Sequence, residues 1–148
     1  MAKSSKVRRP QVLLVNRSFV KREDGKLLIM KRSPTDLNNA GKWEVPGGKV
    51  DEGQDLTGAQ EREVREETGL LVKVTLPFAT LETKSIMSGR YRNHLYLAIF
   101  HVTEIVGGHF ALSDEHTDFA WVTYDELFSY DLTQEVWKAA IVLKSHLV

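Results

Sequence analysis

The sequence predicts an α/β fold in which one β-sheet is covered by helices on both faces. Apolar segments typical of strands lie both before and after a charged helical segment that runs from about residue 55 to residue 68. The chain closes with a second helical segment, TQEVWKAAIVLKSHL, which is amphipathic. Its apolar face is formed by Val136, Ala139, Ala140, Leu143 and Leu147. Helices at these two places in a chain of strands are typical of a layered α/β domain.

The strands are predicted from short apolar runs that are bounded by turn residues. Before the charged helix they are QVLLVNRSFV, KLLIMKR and WEV, and after it they are LLVKVTL, FATLETKSI, HLYLAIFHV and WVTY. The continuous apolar character of HLYLAIFHV predicts a central strand. Between WEV and the helix, Pro46 and Gly47 have the residue types of a type II turn. Asp55 is the expected N-cap of the helix, and Gly69 is its expected left-handed C-cap.

Composition and charge exclude several classes of protein. The 148 residues fit one domain, and the 20 basic and 20 acidic residues cancel, so charge gives no case for a nucleic acid or a membrane as partner. The absence of cysteine excludes disulfides, thiolate metal sites and cysteine nucleophiles. No apolar run is long enough to span a bilayer or to form a signal peptide, so we expect a cytoplasmic protein. We expect residues 1–9 to be a basic, disordered tail and residues 10–148 to be the domain.

The C-terminal half of the charged helix holds a cluster of acidic residues. At 100° per residue, Glu63, Glu66 and Glu67 fall on one face, on the stripe that begins with Leu56 and Ala59. Acidic side chains are disfavoured at this end of a helix, and two carboxylates about 6 Å apart repel by roughly 3 kcal/mol at an effective dielectric constant of about 20. A hard divalent cation such as Mg²⁺ removes the conflict, because several carboxylate oxygens can bind it. The cluster therefore predicts a metal site; the alternative is a solvated helix with i,i+4 ion pairs.

The segment GKVDEGQDLTGAQEREVREETGL, residues 48–70, resembles the signature of the Nudix hydrolase family. That signature is a glycine, five residues, a glutamate, seven residues, and then Arg-Glu-aliphatic-any-Glu-Glu-any-Gly-aliphatic. The chain matches it at Gly48, Arg62, Glu63, Val64, Glu66, Glu67, Gly69 and Leu70. The flanking segments WEVPGG and LSDEHTDFAWVTYDEL are also similar to the family. One position departs, since Gln54 stands where the signature has its first glutamate.

This resemblance implies a Nudix-type α/β/α sandwich around a mixed β-sheet, with the signature forming a loop–helix–loop motif. It also implies hydrolysis of a diphosphate that is linked to another group, usually a nucleoside, with Mg²⁺ or Mn²⁺ as the cofactor. Either Glu63 or Glu115 would be the base that activates water, and Arg62 would orient Glu63. The implied metal ligands are the backbone carbonyl of Gly48 and the carboxylates of Glu63, Glu66 and Glu67.

Three further residues are candidates for binding the substrate. Trp43 stands beside the motif and is expected to edge the pocket, with core packing as its alternative role. Arg90 and Arg92, in SGRYRN, are candidates for holding a substrate phosphate, with plain surface charge as the alternative. We expect the partner to be a small-molecule nucleotide and the substrate to be a nucleoside triphosphate. A monomer and a homodimer are both compatible with the sequence.

Two other classes of protein remain open at this point. Gln54 favours a Nudix-like sensor that holds a nucleotide with little or no turnover. A structural domain whose acidic residues bind a stabilising cation is the other alternative. If the chain is an enzyme, we expect Gln54 to lie at the rim of the site and to raise the metal concentration that the enzyme needs, because an amide lacks the charge of a carboxylate.

Overall fold

The computed structural model describes residues 8–78 and 84–146. In these ranges the strands are β1 (Val12–Lys21), β2 (Leu27–Arg32), β3 (Trp43–Glu44), β4 (Gly47–Lys49), β5 (Leu70–Phe78), β6 (Lys84–Ser85), β7 (Leu95–Gly108) and β8 (His116–Val122). The helices are α1 (Leu56–Thr68) and α2 (Gln134–Leu143), and short 3₁₀ helices span Asp125–Ser129 and Lys144–His146. No helix in the described ranges is long and apolar enough to cross a membrane.

The strands form one mixed sheet, as the sequence predicts. Its main path has the order β3-β2-β1-β7-β5, with β4 paired to β1, β6 paired to β7 and β8 paired to β2. Strands β1 and β7 are parallel, and the other pairs are antiparallel. The predicted central strand is confirmed, because β7 lies between β1 and β5 and is buried through its middle.

The two helices cover opposite faces of this sheet. On one face, Val64 of α1 packs with buried residues of the sheet such as Val20 and Met30. On the other face, α2 packs against a cluster that includes Phe19 and Phe100. The predicted α/β/α sandwich is therefore confirmed. The α2 residues that are buried are Val136, Ala139, Ala140 and Leu143, as its apolar pattern predicts, whereas Leu147 lies outside the described residues.

Helix α1 begins and ends where its sequence indicates. The Asp55 carboxylate accepts a hydrogen bond from the Gly58 N–H at 3.1 Å, which satisfies one of the unpaired donors at the helix start. At the other end, Gly69 has a φ of 73° and donates its N–H to the Arg65 carbonyl at 2.8 Å. A Cβ at Gly69 would meet the His109 carbonyl at 2.3 Å, so this left-handed cap also leaves room for the backbone that follows β7.

Some local expectations are wrong. Gly47 is not in the positive-φ conformation that the third position of a type II turn requires; it begins β4 and pairs with Arg17 of β1. The predicted boundary between LLVKVTL and FATLETKSI is also wrong, since β5 runs without a break from Leu70 to Phe78. Residues 79–83 of FATLETKSI lie outside the described residues, as do residues 1–7 of the predicted tail.

Candidate active site

A cavity of about 920 Å³ lies where the motif meets the sheet. Gly48 of β4, Glu63 and Glu67 of α1, and Glu115 from the loop before β8 all line it. These residues come from three separate segments, and the sequence assigns each of them to the metal or to catalysis. The fold therefore brings four of the predicted metal-binding and catalytic residues to one cavity.

Gly48 and Glu63 are in close contact. A Cβ built on Gly48 would lie 2.6 Å from Cδ of Glu63 and 2.8 Å from both of its carboxylate oxygens. The carboxylate thus occupies the space that any other residue at position 48 would fill. Burial and the charge of Glu66 raise the pKa of Glu63 above its ordinary value. This contact places a carboxylate beside the backbone of the glycine whose carbonyl is predicted to be a metal ligand.

Glu67 is the most buried acid of the motif, with 8% of its surface exposed. Burial, followed by the negative charge of Glu44, raises its pKa to about 9. A carboxylate in these surroundings is stable only when it takes up a proton or faces a cation. Glu67 can therefore carry its negative charge at neutral pH only when a cation lies beside it.

Glu66 and Arg62 lie at the edge of the site and contribute nothing to the lining of the cavity. The Glu66 side chain is 56% exposed. Arg62 lies 3.8 Å from Glu63, measured from Nη2 to Oε1, and 4.0 Å from Glu66, measured from Nε to Oε1. Arg62 therefore has the reach to orient Glu63, and the predicted i,i+4 pair with Glu66 is present at the limit of ion-pair distance.

The loop that carries Glu115 is held to the end of α1. The Ala111 N–H donates to the Thr68 carbonyl at 2.8 Å, and the Ser113 N–H donates to the Glu67 carbonyl at 3.0 Å. Glu115 itself is exposed and reaches the cavity from this loop. Because the loop is bonded to the residues that carry the motif acids, Glu115 is kept near them while its carboxylate stays accessible.

Glu44, which sequence reasoning missed, is the centre of a buried ionic cluster beside these acids. It accepts hydrogen bonds from His116 Nε2 and Arg32 Nη1, each at 2.8 Å, and it lies 3.4 Å from Arg17 Nη1. Burial acts to raise the pKa of Glu44, but the His116 hydrogen bond and the two arginine charges outweigh it and hold the pKa below its ordinary value. The sequence signal for Glu44 was a charged residue between the apolar residues Trp43 and Val45 in the short predicted strand WEV.

The far wall of the cavity carries a second group that the sequence did not reveal. Arg17 donates from Nε to Glu135 Oε1, and the Tyr96 hydroxyl donates to Glu135 Oε2 at 2.6 Å. Glu135 and Glu44 together hold the pKa of Arg17 above its ordinary value against the opposing effect of burial. Arg17 therefore connects the acidic wall of the cavity with the N-terminal turn of α2. A lone arginine in the apolar strand VLLVNRSFV was the only sequence signal for this role.

The three predicted substrate-binding residues differ in their position relative to the cavity. Arg90 lines the cavity, with its guanidinium carbon 5.6 Å from the centre of the Tyr91 ring. Arg92 is part of the same turn but does not line the cavity. Trp43 packs edge-on against Tyr130, with ring centres 4.9 Å apart, and it also contributes no surface to the cavity. Its position favours the packing role.

The oxygen atoms that line the cavity are of the kind that binds a hard divalent cation, but they do not converge on one point. Within residues 8–78 and 84–146, no three acidic or histidine side chains converge as a preformed cation site would require. The donors that are present are carboxylate and carbonyl oxygens, which Mg²⁺ and Mn²⁺ prefer. The crowding of Glu63 against Gly48 and the burial of Glu67 indicate where positive charge is needed. Glu66 would have to change its side-chain conformation to join them.

Comparisons with known proteins identify the family of this chain. The NUDIX domain family matches residues 8–144. The nucleoside triphosphatase NudI of Escherichia coli K12 is 32% identical over 117 residues, which cover 74% of this chain and 81% of that protein. The chain therefore belongs to the Nudix family, and it is a pyrophosphohydrolase of the Nudix type that acts on acid anhydrides.

Solved structures show the same fold. The MutT protein from Methanosarcina mazei Go1 superposes with a TM-score of 0.72 at 24% identity, covering 90% of this chain and 93% of that one. A NUDIX hydrolase from Nitrosomonas europaea gives a TM-score of 0.73 at 20% identity, covering 93% and 91% of the two chains. The sandwich and its connections are thus those of Nudix hydrolases.

Proposed function

We propose that this enzyme hydrolyses a phosphoanhydride bond of nucleoside triphosphates, with Mg²⁺ or Mn²⁺ as its cofactor. The observation that carries the proposal is the single cavity in which Glu63, Glu67 and Glu115 face the same space as Gly48. The relative NudI is a nucleoside triphosphatase, which supports this choice of substrate class.

The cation would be held by Glu63, Glu67 and the backbone carbonyl of Gly48, with Glu66 completing the set. A divalent cation bound there supplies charge neutralisation for the phosphates and lowers the pKa of bound water. Arg62, at 3.8 Å from Glu63, orients that carboxylate towards the cavity. These roles follow the motif and agree with the contact between Glu63 and Gly48.

Glu115 is the better candidate for the proton acceptor. Glu63 is packed against Gly48, where it is placed to act as a ligand, whereas Glu115 is exposed on a loop that reaches the same cavity. A general base must come within hydrogen-bond reach of the water that attacks phosphorus. An accessible carboxylate on a loop bonded to the end of α1 can meet that requirement when substrate is bound.

The remaining walls of the cavity are suited to an anionic nucleotide. Lys49, Lys84 and Arg90 line it and offer positive charge to phosphates. Tyr96 and Glu135, which are hydrogen-bonded to each other, lie in the part of the wall formed by β7 and the start of α2, and their oxygens can accept further hydrogen bonds from a base or a sugar. The volume of about 920 Å³ lies within the range of roughly 300–1,000 Å³ that is usual for small-molecule sites.

The substrate panel is the direct test of this proposal. Purified protein is incubated with ribo- and deoxyribonucleoside triphosphates, ADP-ribose and dinucleoside polyphosphates in Mg²⁺, in Mn²⁺ and in chelator, and the products are separated by chromatography. We expect turnover of at least one triphosphate with metal and none in chelator. In ¹⁸O-labelled water the label should enter a phosphate product and leave the sugar hydroxyls unlabelled.

The panel also separates the alternatives. Preference for a substrate other than triphosphates would overturn the substrate assignment but keep the enzyme class. Thermal stabilisation by nucleotides without any turnover would support a sensor instead. Gln54 gives that alternative little structural support, because it does not line the cavity and its amide oxygen accepts the Asp51 N–H at 2.9 Å.

A further inference from the structure

Buried polar side chains lie beneath α1, on a sheet face that also carries apolar core residues such as Val20 and Met30. Asn16, Gln60 and His101 each expose no more than 1% of their surface, yet each makes hydrogen bonds there. Burying polar groups costs free energy unless their hydrogen bonds are made, and apolar residues of the same size would fill the space without that requirement. These side chains therefore call for an explanation beyond core packing.

Asn16 contacts both halves of the motif. Its backbone on β1 pairs with Gly48 on β4, and the Val50 N–H donates to the neighbouring Leu14 carbonyl at 2.9 Å. Its side-chain Nδ2 donates to the carbonyl of Leu56, the first residue of α1, at 2.9 Å. One residue is thus bonded to the strand that carries Gly48 and to the helix that carries Glu63.

The Asn16 amide is held between the Leu56 carbonyl and the His101 ring. The Nε2 of His101 lies 3.0 Å from Asn16 Oδ1, and because Asn16 Nδ2 is used to donate to Leu56, Oδ1 must be the acceptor and His101 Nε2 the donor. Burial lowers the pKa of His101, which keeps the imidazole neutral with a single N–H. A flipped amide would set its oxygen against the Leu56 carbonyl, which is repulsive, and it would require the imidazole to carry its proton on Nδ1 instead of Nε2.

Gln60 forms a second connection of the same kind. From the buried face of α1 its Nε2 donates to Ser18 Oγ at 2.7 Å and to the Pro46 carbonyl at 3.2 Å. The Ser18 N–H donates to the same carbonyl at 2.8 Å. The segment before Gly48 is therefore bonded to β1 and α1 together, by backbone and side chain.

We infer that Asn16, which is hydrogen-bonded to Leu56 and to His101, is a positioning residue that fixes the separation between the Gly48 backbone and the carboxylate of Glu63. The Gly48 backbone and the Glu63 carboxylate are close together, since a Cβ on Gly48 would lie 2.6 Å from Cδ of Glu63. A small displacement of α1 along β1 changes this separation directly. The inference rests on the proposed function, because the consequence of correct positioning is affinity for a divalent cation.

The test measures Mn²⁺ binding by calorimetry, together with thermal unfolding in chelator. Asn16→Ala removes both side-chain bonds, and His101→Leu keeps Asn16 but removes the hydrogen bond to its Oδ1. We expect each variant to bind Mn²⁺ about tenfold more weakly than wild type, the lower end of the loss usual for residues that support metal ligands. His101→Gln keeps an N–H donor and should restore affinity to within about twofold of wild type.

Thr103→Val is the matched control. Thr103 is fully buried on the same strand as His101, two residues further on, and its hydroxyl makes no hydrogen bond within the described part of the chain. Its substitution should leave Mn²⁺ affinity unchanged. Losses of melting temperature in Asn16→Ala and His101→Leu with wild-type Mn²⁺ affinity would show a purely structural role and overturn the inference. Wild-type protein that binds no Mn²⁺ would instead overturn the metal site itself.

Discussion

Two adjacent glycines, Gly47 and Gly48, are required for different physical reasons. A Cβ on Gly47 would meet backbone, at 2.0 Å from the Asn16 carbonyl oxygen and 2.8 Å from the Arg17 Cα. A Cβ on Gly48 would first meet the carboxylate of Glu63, which is the end of a flexible side chain. The first glycine therefore serves the strand pairing, and the second makes room for a functional group.

This difference predicts opposite outcomes for two alanine substitutions. Gly48→Ala should displace Glu63 and weaken Mn²⁺ binding by about tenfold or more, while the free energy of unfolding in chelator changes by less than about 1 kcal/mol. Gly47→Ala should cost at least about 2 kcal/mol of stability, because backbone must move. Calorimetry and denaturant unfolding check both. Equal destabilisation by the two substitutions would contradict this account of Gly48.

Gln54 provides a second prediction at the residue scale. Its amide oxygen accepts the Asp51 N–H, and a carboxylate oxygen can accept the same bond, so Gln54→Glu adds charge with little change in the loop. We expect a lower Mg²⁺ concentration for half-maximal rate, by less than about fivefold, since exposed charges contribute at most about 1 kcal/mol. A Mg²⁺ titration of the rate checks this. Turnover that appears only in Gln54→Glu would favour the sensor.

At the scale of elements, α1 is the part that the sequence predicted best, because its signals are local. Asp55 and Gly69 cap it as expected, and its buried face follows helical spacing. The same local reasoning failed at Gly47, because pairing with Arg17, thirty residues earlier, decides its conformation. Glu66 was assigned to the inner ligands by its place in the motif, yet its side chain is 56% exposed.

The loop before β8 allows a sharp comparison between two neighbouring acids. Glu115 lines both the main cavity and the smaller one beside it, whereas Asp114 lines the smaller cavity but not the main one. If Glu115 accepts the proton, Glu115→Gln should lower kcat by about 10²-fold or more with little change in KM. Asp114→Asn should change kcat by less than about twofold. Steady-state kinetics on the preferred substrate check both; a wild-type kcat in Glu115→Gln would return the role of base to Glu63.

At the scale of the whole molecule, the site is assembled from segments that are far apart in the chain. Arg17 and Glu135, which contact each other, are 118 residues apart. Glu44 and His116 are 72 residues apart. The motif acids were predictable because they share a helix with fixed geometry. The ionic cluster around Glu44 was not, because its members become neighbours only through the order of strands in the sheet.

The burial of Glu67 predicts how the stability of the whole protein depends on pH. Its folded-state pKa of about 9 is above the ordinary value, so its contribution to stability is fully present below about pH 4.5 and is lost as the pH rises through 9. In chelator, wild type should therefore lose stability relative to Glu67→Gln across this window, by at most about 1.4 kcal/mol per pH unit. Denaturant unfolding of both proteins at several pH values measures the difference. A difference that does not change with pH would contradict the burial of an unpaired carboxylate.

The most direct test of a metal-dependent hydrolase centred on the motif acids is the initial rate of nucleoside triphosphate hydrolysis by wild type and Glu67→Gln across a range of Mg²⁺ concentrations. Glu67→Gln keeps the shape of the side chain and removes only its charge. We expect the wild-type rate to rise from zero and saturate with Mg²⁺, and the rate of the folded variant to be lower by about 10²-fold. Wild-type rates in the variant, or undiminished wild-type hydrolysis in chelator, would contradict the account.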